Sequence, residues 1–146
     1  MVLKRKIYAK LLEWKENSQG KKAIMVEGAR RIGKSTIVEE FAKKEYESYI
    51  IIDFAKKDKN VEEFFNLYLN RLDDLFMMLG TYFSVKLIPR KSAIIFDEVQ
   101  SFPQARAAIK YLVADGRYDY IETGSLISIK ENIQDIVIPS EERSIN

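Results

Sequence analysis

The chain has 146 residues, 47% hydrophobic and 32% charged, a composition that fits one folded domain and excludes an intrinsically disordered chain. It has no cysteine and no histidine, so disulfides, Cys- or His-ligated zinc, thiol nucleophiles and Ser-His-Asp triads are excluded within it. Its 24 basic and 22 acidic side chains leave a formal charge of +2, which makes no global electrostatic case for a nucleic-acid or membrane partner.

The basic start Lys4-Arg5-Lys6 is not followed by the apolar stretch of a secretory signal. Apolar runs such as Tyr49 to Ile52 and Ala93 to Phe96 fall far short of the ~20 residues needed to cross a bilayer. The expectation is a soluble cytoplasmic protein. Ile7, Leu11 and Trp14, flanked by Tyr8 and Leu12, recur at helical spacing, and the helix should stop near Asn17-Ser18-Gln19-Gly20. Ala23 to Val26 reads as a buried strand, and Ile37, Val38 and Phe41 mark the helix after it. Tyr49 to Phe54 is a second β-branched run.

From Val61 through Phe64, Phe65, Tyr68, Leu72, Leu75, Phe76 and Leu79 the spacing predicts one helix of about five turns, with Gly80 as its stop. Ala93 to Asp97 is a third strand. Ser101-Phe102-Pro103-Gln104 has the form of a capping box before a helix through Ala107, Ala108, Tyr111 and Leu112, which Gly116 ends. Tyr118 to Thr123 is a fourth strand, closed by Gly124-Ser125. Strands alternating with helices predict an α/β fold: a parallel sheet with helices on both faces.

Between the first strand and its helix, Gly28-Ala29-Arg30-Arg31-Ile32-Gly33-Lys34-Ser35 matches G-x-x-x-x-G-K-[ST] at every fixed position. Glycines let the loop curl so that successive N–H groups converge on phosphate oxygens. Lys34 would set an ammonium between the β- and γ-phosphates, Ser35 a hydroxyl on Mg²⁺, and the helix its positive end toward the anion, with Thr36 in the same first turn. A nucleotide site of this kind needs an acidic residue at the end of another buried strand. Asp97 fits as the Mg²⁺ carboxylate, and Glu98 beside it fits as the group that polarises a water. Thr123 and Ser125, at the tip of the fourth strand, are candidates to sense the γ-phosphate, although hydroxyls are also ordinary turn residues. Arg31 reads as solvent-facing; Arg30 stays open between phosphate and solvent.

The loop GARRIGKS, the run IIFDEVQSFP (Ile94 to Pro103), DGRYDYIETGSL (Asp115 to Leu126) and Arg143 together resemble the nucleotide-binding module of the AAA+-like P-loop ATPases of bacteria and archaea. Gly28, Arg30, Gly33, Lys34, Ser35, Asp97, Glu98, Gln100, Thr123, Gly124 and Ser125 fall on that family's motif positions. The resemblance implies ATP and Mg²⁺ as ligands and ATP hydrolysis in the intact protein. It also implies sheet order 5-1-4-3-2, with strand 5 mostly absent, and residues 1–146 as the core of a longer protein, a core that by itself hydrolyses ATP only weakly. An open edge on the first strand would then invite self-association. Arg143 matches the arginine of the family's G-R position, although Glu142 stands where glycine is usual; it is read first as a disordered tail residue and second as a finger on the γ-phosphate of a neighbouring subunit. Three other readings stay in view: a nucleotide-controlled binding module with a protein or DNA partner, a P-loop kinase, and a DNA contact through Lys4-Arg5-Lys6 and Lys21-Lys22.

Overall fold

A computed structural model describes residues 2–28, 33–125 and 142–145. The elements run α1 (Val2–Ser18), β1 (Ala23–Gly28), α2 (Lys34–Glu45), β2 (Ser48–Asp53), α3 (Lys59–Tyr68), α4 (Leu72–Phe83), β3 (Ser92–Asp97), α5 (Pro103–Asp115), β4 (Asp119–Ser125) and β5 (Glu142–Ile145). Short 3₁₀ turns at Phe54–Lys56 and Val99–Ser101 follow β2 and β3. The strands form one sheet in the order β2-β3-β4-β1-β5, with every pairing parallel. This is the expected 5-1-4-3-2 order.

Alternation along the strands sorts the core into two layers. Ile24, Val26, Ala93, Ile95 and Ile121 pack on one face against Ile7, Leu11 and Trp14 of α1 and Ile37, Val38 and Phe41 of α2. Met25, Ile50, Ile52, Ile94, Phe96 and Tyr120 pack on the other face against α3, α4 and α5. Beneath the end of β3, Phe96 meets Phe54 edge-on at 5.4 Å, and Phe54 stacks on Phe102 at 5.6 Å. Helices therefore cover both faces.

Four expectations change. The single long helix is two, because the chain turns at Leu69 to Arg71; the four-residue step from Tyr68 to Leu72 keeps the apolar phase and hides the break. Gly80 lies inside α4, which continues to Phe83 and ends on a left-handed Ser84. A Cβ at Gly80 would stand 3.0 Å from the Val85 carbonyl, so its smallness serves the chain folding back behind it. No capping box forms: α5 starts at Pro103, so Phe102 rather than Ser101 stands at the cap, and Ser101 is held in the 3₁₀ turn. Finally, β5 is short but pairs with Ala23 to Val26, so the edge of β1 expected to be open is covered, and self-association through it loses its basis.

The end of the sheet where β3 and β4 begin is tied by side chains. The left-handed Arg90 donates to the Asp119 carboxylate at 2.7 Å and to the Gly116 carbonyl at 3.0 Å, and the Tyr46 hydroxyl donates to the other Asp119 oxygen.

Candidate functional site

β1, β3 and β4 are adjacent and parallel, so their C-terminal ends bring together residues from distant parts of the sequence. Ala29, Arg30, Arg31 and Ile32 lie outside the described residues, as does the Arg143 side chain. Gly33 is left-handed (φ 73°, ψ 34°) and caps α2, a conformation that costs glycine nothing. The first backbone N–H groups of a helix point beyond its N-terminus, which makes that end of α2 receptive to an anion. Thr36 is exposed.

Lys34 is buried, with 3% of its surface accessible, and its Nζ stands 3.8 Å from Glu98 Oε1. Ser35 Oγ donates to Asp97 Oδ1 at 2.6 Å, joining the loop-proximal helix to the end of β3. Thr123 Oγ1 donates to the same Asp97 oxygen at 2.6 Å and accepts the Glu98 N–H at 2.9 Å. One hydroxyl thus orients both acidic residues. Ser125 Oγ lies 2.9 and 2.8 Å from the two Glu98 carboxylate oxygens, and Gln100 Nε2 donates to Oε2 at 2.7 Å. Glu98 itself is left-handed at φ 52°, a strained conformation for a residue with a Cβ. The Thr123 contact and the Ser101 N–H on the Glu98 carbonyl, at 3.0 Å, hold it there.

Lys34, Ser35, Asp97, Glu98, Thr123 and Ser125, all picked out in the sequence, therefore meet at one place. The Gln100 side chain adds a support for Glu98 that the motif alone did not assign. A buried ion pair behind the site, Arg106 with Glu122 at 3.7 Å, was also missed. Its signals were a charge inside the apolar run Tyr120 to Thr123 and an arginine among the alanines of α5.

The donor set suits a hard cation. A hydroxyl and a carboxylate already within one hydrogen bond of each other are the oxygen ligands Mg²⁺ takes beside water and phosphate. Among the described residues there is no group of three or more His, Cys, Asp or Glu side chains able to cage a metal. Among them, too, no helix is long and apolar enough to cross a membrane.

Residues 20–137 match the family described as AAA domain, a stretch that holds every site residue above. No curated protein matches the chain. Among solved structures, that of C. elegans PCH-2 aligns with 97% of this chain and 41% of that one, at a TM-score of 0.53 and 14% identity. The chain thus spans less than half of that neighbour's length, and a likeness at this identity concerns the fold alone.

Proposed function

Because the chain belongs to the AAA domain family, we propose that it binds Mg²⁺–ATP at the ends of β1, β3 and β4 and directs water at the γ-phosphate. Family membership supports nucleotide-binding, ATPase-like function at the family level; ATP, Mg²⁺ and hydrolysis are the finer reading. The observation that carries it is the Asp97 carboxylate shared by Ser35 and Thr123, with Glu98 beside it and Lys34 opposite.

In this reading the Lys34 ammonium neutralises β- and γ-phosphate oxygens, while Gly28 to Thr36 supply backbone N–H groups and room for the phosphates, with Arg30 as a further contact. Ser35 and Asp97 hold Mg²⁺, whose charge offsets that on the phosphates. Glu98 accepts a proton from the attacking water as its oxygen bonds to the γ-phosphorus and the bond to the β-phosphate oxygen breaks. Thr123 keeps Asp97 and Glu98 aligned, and Ser125 lies where it would register the γ-phosphate. ATP and Mg²⁺ are both cytoplasmic solutes, so the proposed activity is cytoplasmic.

A second reading has support of its own: a nucleotide-controlled binding module with little turnover. Lys34, Ser125 and Gln100 all engage the Glu98 carboxylate, and a base so occupied is slow until those contacts loosen. A DNA contact gains less. Lys4 pairs with Glu40 at 2.7 Å, and the two basic clusters stand at opposite ends of α1, a helix about 25 Å long. A kinase would need water excluded from the γ-phosphate, against the placement of Glu98.

The test is Mg²⁺–ATP binding and acceptor-free phosphate release by the parent and Glu98→Gln. Binding should be equal in both, and any release should fall about 10²-fold in the variant. Equal loss of binding in Glu98→Gln would assign Glu98 to the metal or the fold instead.

A further inference from the structure

Directly behind Thr123, β4 turns one charged side chain toward α5. Glu122 is fully buried, and its register partners are Met25 in β1 and Phe96 in β3. Arg106, also buried, reaches it from the first turn of α5, with Nε 3.7 Å from Glu122 Oε1. The strand residues around Glu122 on this face, Met25, Phe96 and Tyr120, are large and mostly apolar. An apolar pair of similar volume at such a place is commonly as stable as the ion pair, or more so, because neither charge then has to leave water.

What the ion pair supplies is a hold on distance. Glu98 is held from two sides: by Gln100, in the Val99–Ser101 turn, and by Thr123 and Ser125, on β4. That turn runs through Phe102 into α5, the helix that carries Arg106, while Glu122 is the residue before Thr123. The Arg106–Glu122 contact therefore links the same two elements that grip Glu98, one layer below it. An apolar contact tolerates sliding, whereas two opposite charges 3.7 Å apart in low dielectric, too far for a hydrogen bond from Nε, resist separation through their Coulomb attraction.

We propose that Arg106 and Glu122 are positioning residues that fix the spacing between the Val99–Ser101 turn and β4, and through it the orientation of Glu98 and Asp97. Their consequence for hydrolysis rests on the ATPase reading above; their effect on geometry does not.

The Glu98 N–H, which donates to Thr123 Oγ1, reports that spacing in nucleotide-free protein. Its hydrogen exchange should be followed by NMR in the parent and in the double variant Arg106→Met/Glu122→Met, which removes both charges and keeps the volume. The Glu98 amide should exchange at least tenfold faster in the double variant, while the strand-centre amides of Ile94 and Ile121 keep their rates. A folded double variant with parental exchange at Glu98 overturns the proposal. Should the double variant not fold, Arg106→Lys carries the same readout, since it keeps the charge but puts it on a flexible stem at a different distance from Glu122. About threefold faster exchange is then expected, and the parental rate overturns the proposal.

A second arm measures ATP affinity with and without Mg²⁺. The double variant should lose about tenfold of the Mg²⁺-dependent tightening and keep its Mg²⁺-free affinity; full retention of the tightening would limit the pair to packing. A parent that binds no Mg²⁺–ATP while the exchange effect is present refutes the proposed function and leaves the positioning role standing.

Discussion

Asp97 and Asp119 end up equally hidden, 6% and 4% exposed, at opposite ends of the same sheet, yet they are closed by different donors. Asp119, at the start of β4, receives the Arg90 guanidinium at 2.7 Å and the Tyr46 hydroxyl, so its charge is met in place by a cation. Asp97, at the end of β3, receives two neutral hydroxyls, from Ser35 and Thr123. Its charge is oriented but not cancelled by either. One carboxylate is built as a joint; the other is the one proposed above to meet Mg²⁺. The two cations repeat the contrast. Arg90 touches its aspartate closely, while Lys34 stands 3.8 Å from Glu98, where a phosphate could draw it away.

The largest expected break in this comparison is Lys34→Ala. It removes a charge-assisted phosphate contact, so nucleotide affinity should fall by about 10²-fold, measured by calorimetry, with the melting temperature nearly unchanged. A variant that binds as the parent does would end the phosphate assignment. Next comes Asp119→Asn at the joint. Arg90 is partly exposed, which tempers the cost, so a loss of about 2 kcal/mol is expected, or roughly 4 to 8 °C in melting temperature, with nucleotide affinity kept. Unchanged melting would show that the joint is ornamental. Asp97→Asn should do the reverse: stability within about 1 kcal/mol of the parent, and the Mg²⁺-dependent part of ATP affinity down about tenfold in a Mg²⁺ titration. A large fall in stability would make Asp97 a second joint.

The smallest effect concerns alkaline pH. Burial, reinforced by the Asp119 charge and the hydrogen bond to it, pushes the Tyr46 hydroxyl far above its ordinary value of 10.0. The folded chain then holds this proton more tightly than the unfolded chain. That stabilisation is complete below pH ~10 and is lost as pH rises beyond it. Denaturant unfolding between pH 9 and 11 should therefore show stability falling at the top of the range, with a shallower fall in Tyr46→Phe. The same slope in both proteins would assign the alkaline loss to other groups.

Much of this was readable in the residues. Four strands, with Lys34, Ser35, Asp97, Glu98, Thr123 and Ser125 at or near their C-terminal ends, follow from short apolar runs ending in polar residues, whereas the strand order comes only from the family resemblance. What stayed hidden depended on phase or on distance. The turn between α3 and α4 preserves apolar spacing, and only Asp73-Asp74, acidic residues suited to a helix start, mark it. Phe102 is buried against Phe54, and Pro103 takes the first position of α5, so the Ser101 signal for a cap is overridden by packing. The pairing of Arg106 with Glu122 and of Arg90 with Asp119 joins residues that no local pattern connects. Gln100 bonds Glu98 only because the chain turns left-handed between them and the strand.

The place of β1 in the sheet has a consequence for how the molecule is made. Among the described residues its neighbours in the sheet are β4 and β5, and β4 begins about 90 residues after β1 ends. At ~5–20 residues per second, a ribosome leaves Ala23 to Val26 without a partner strand for several seconds. During that time β2 and β3 can already pair with each other. Closing so long a loop before any contact rewards it makes this the slow step of folding. The C-terminal end of β1, beside the proposed nucleotide site, is then among the last parts to take shape, and the proposed nucleotide affinity would appear only after β4 has emerged.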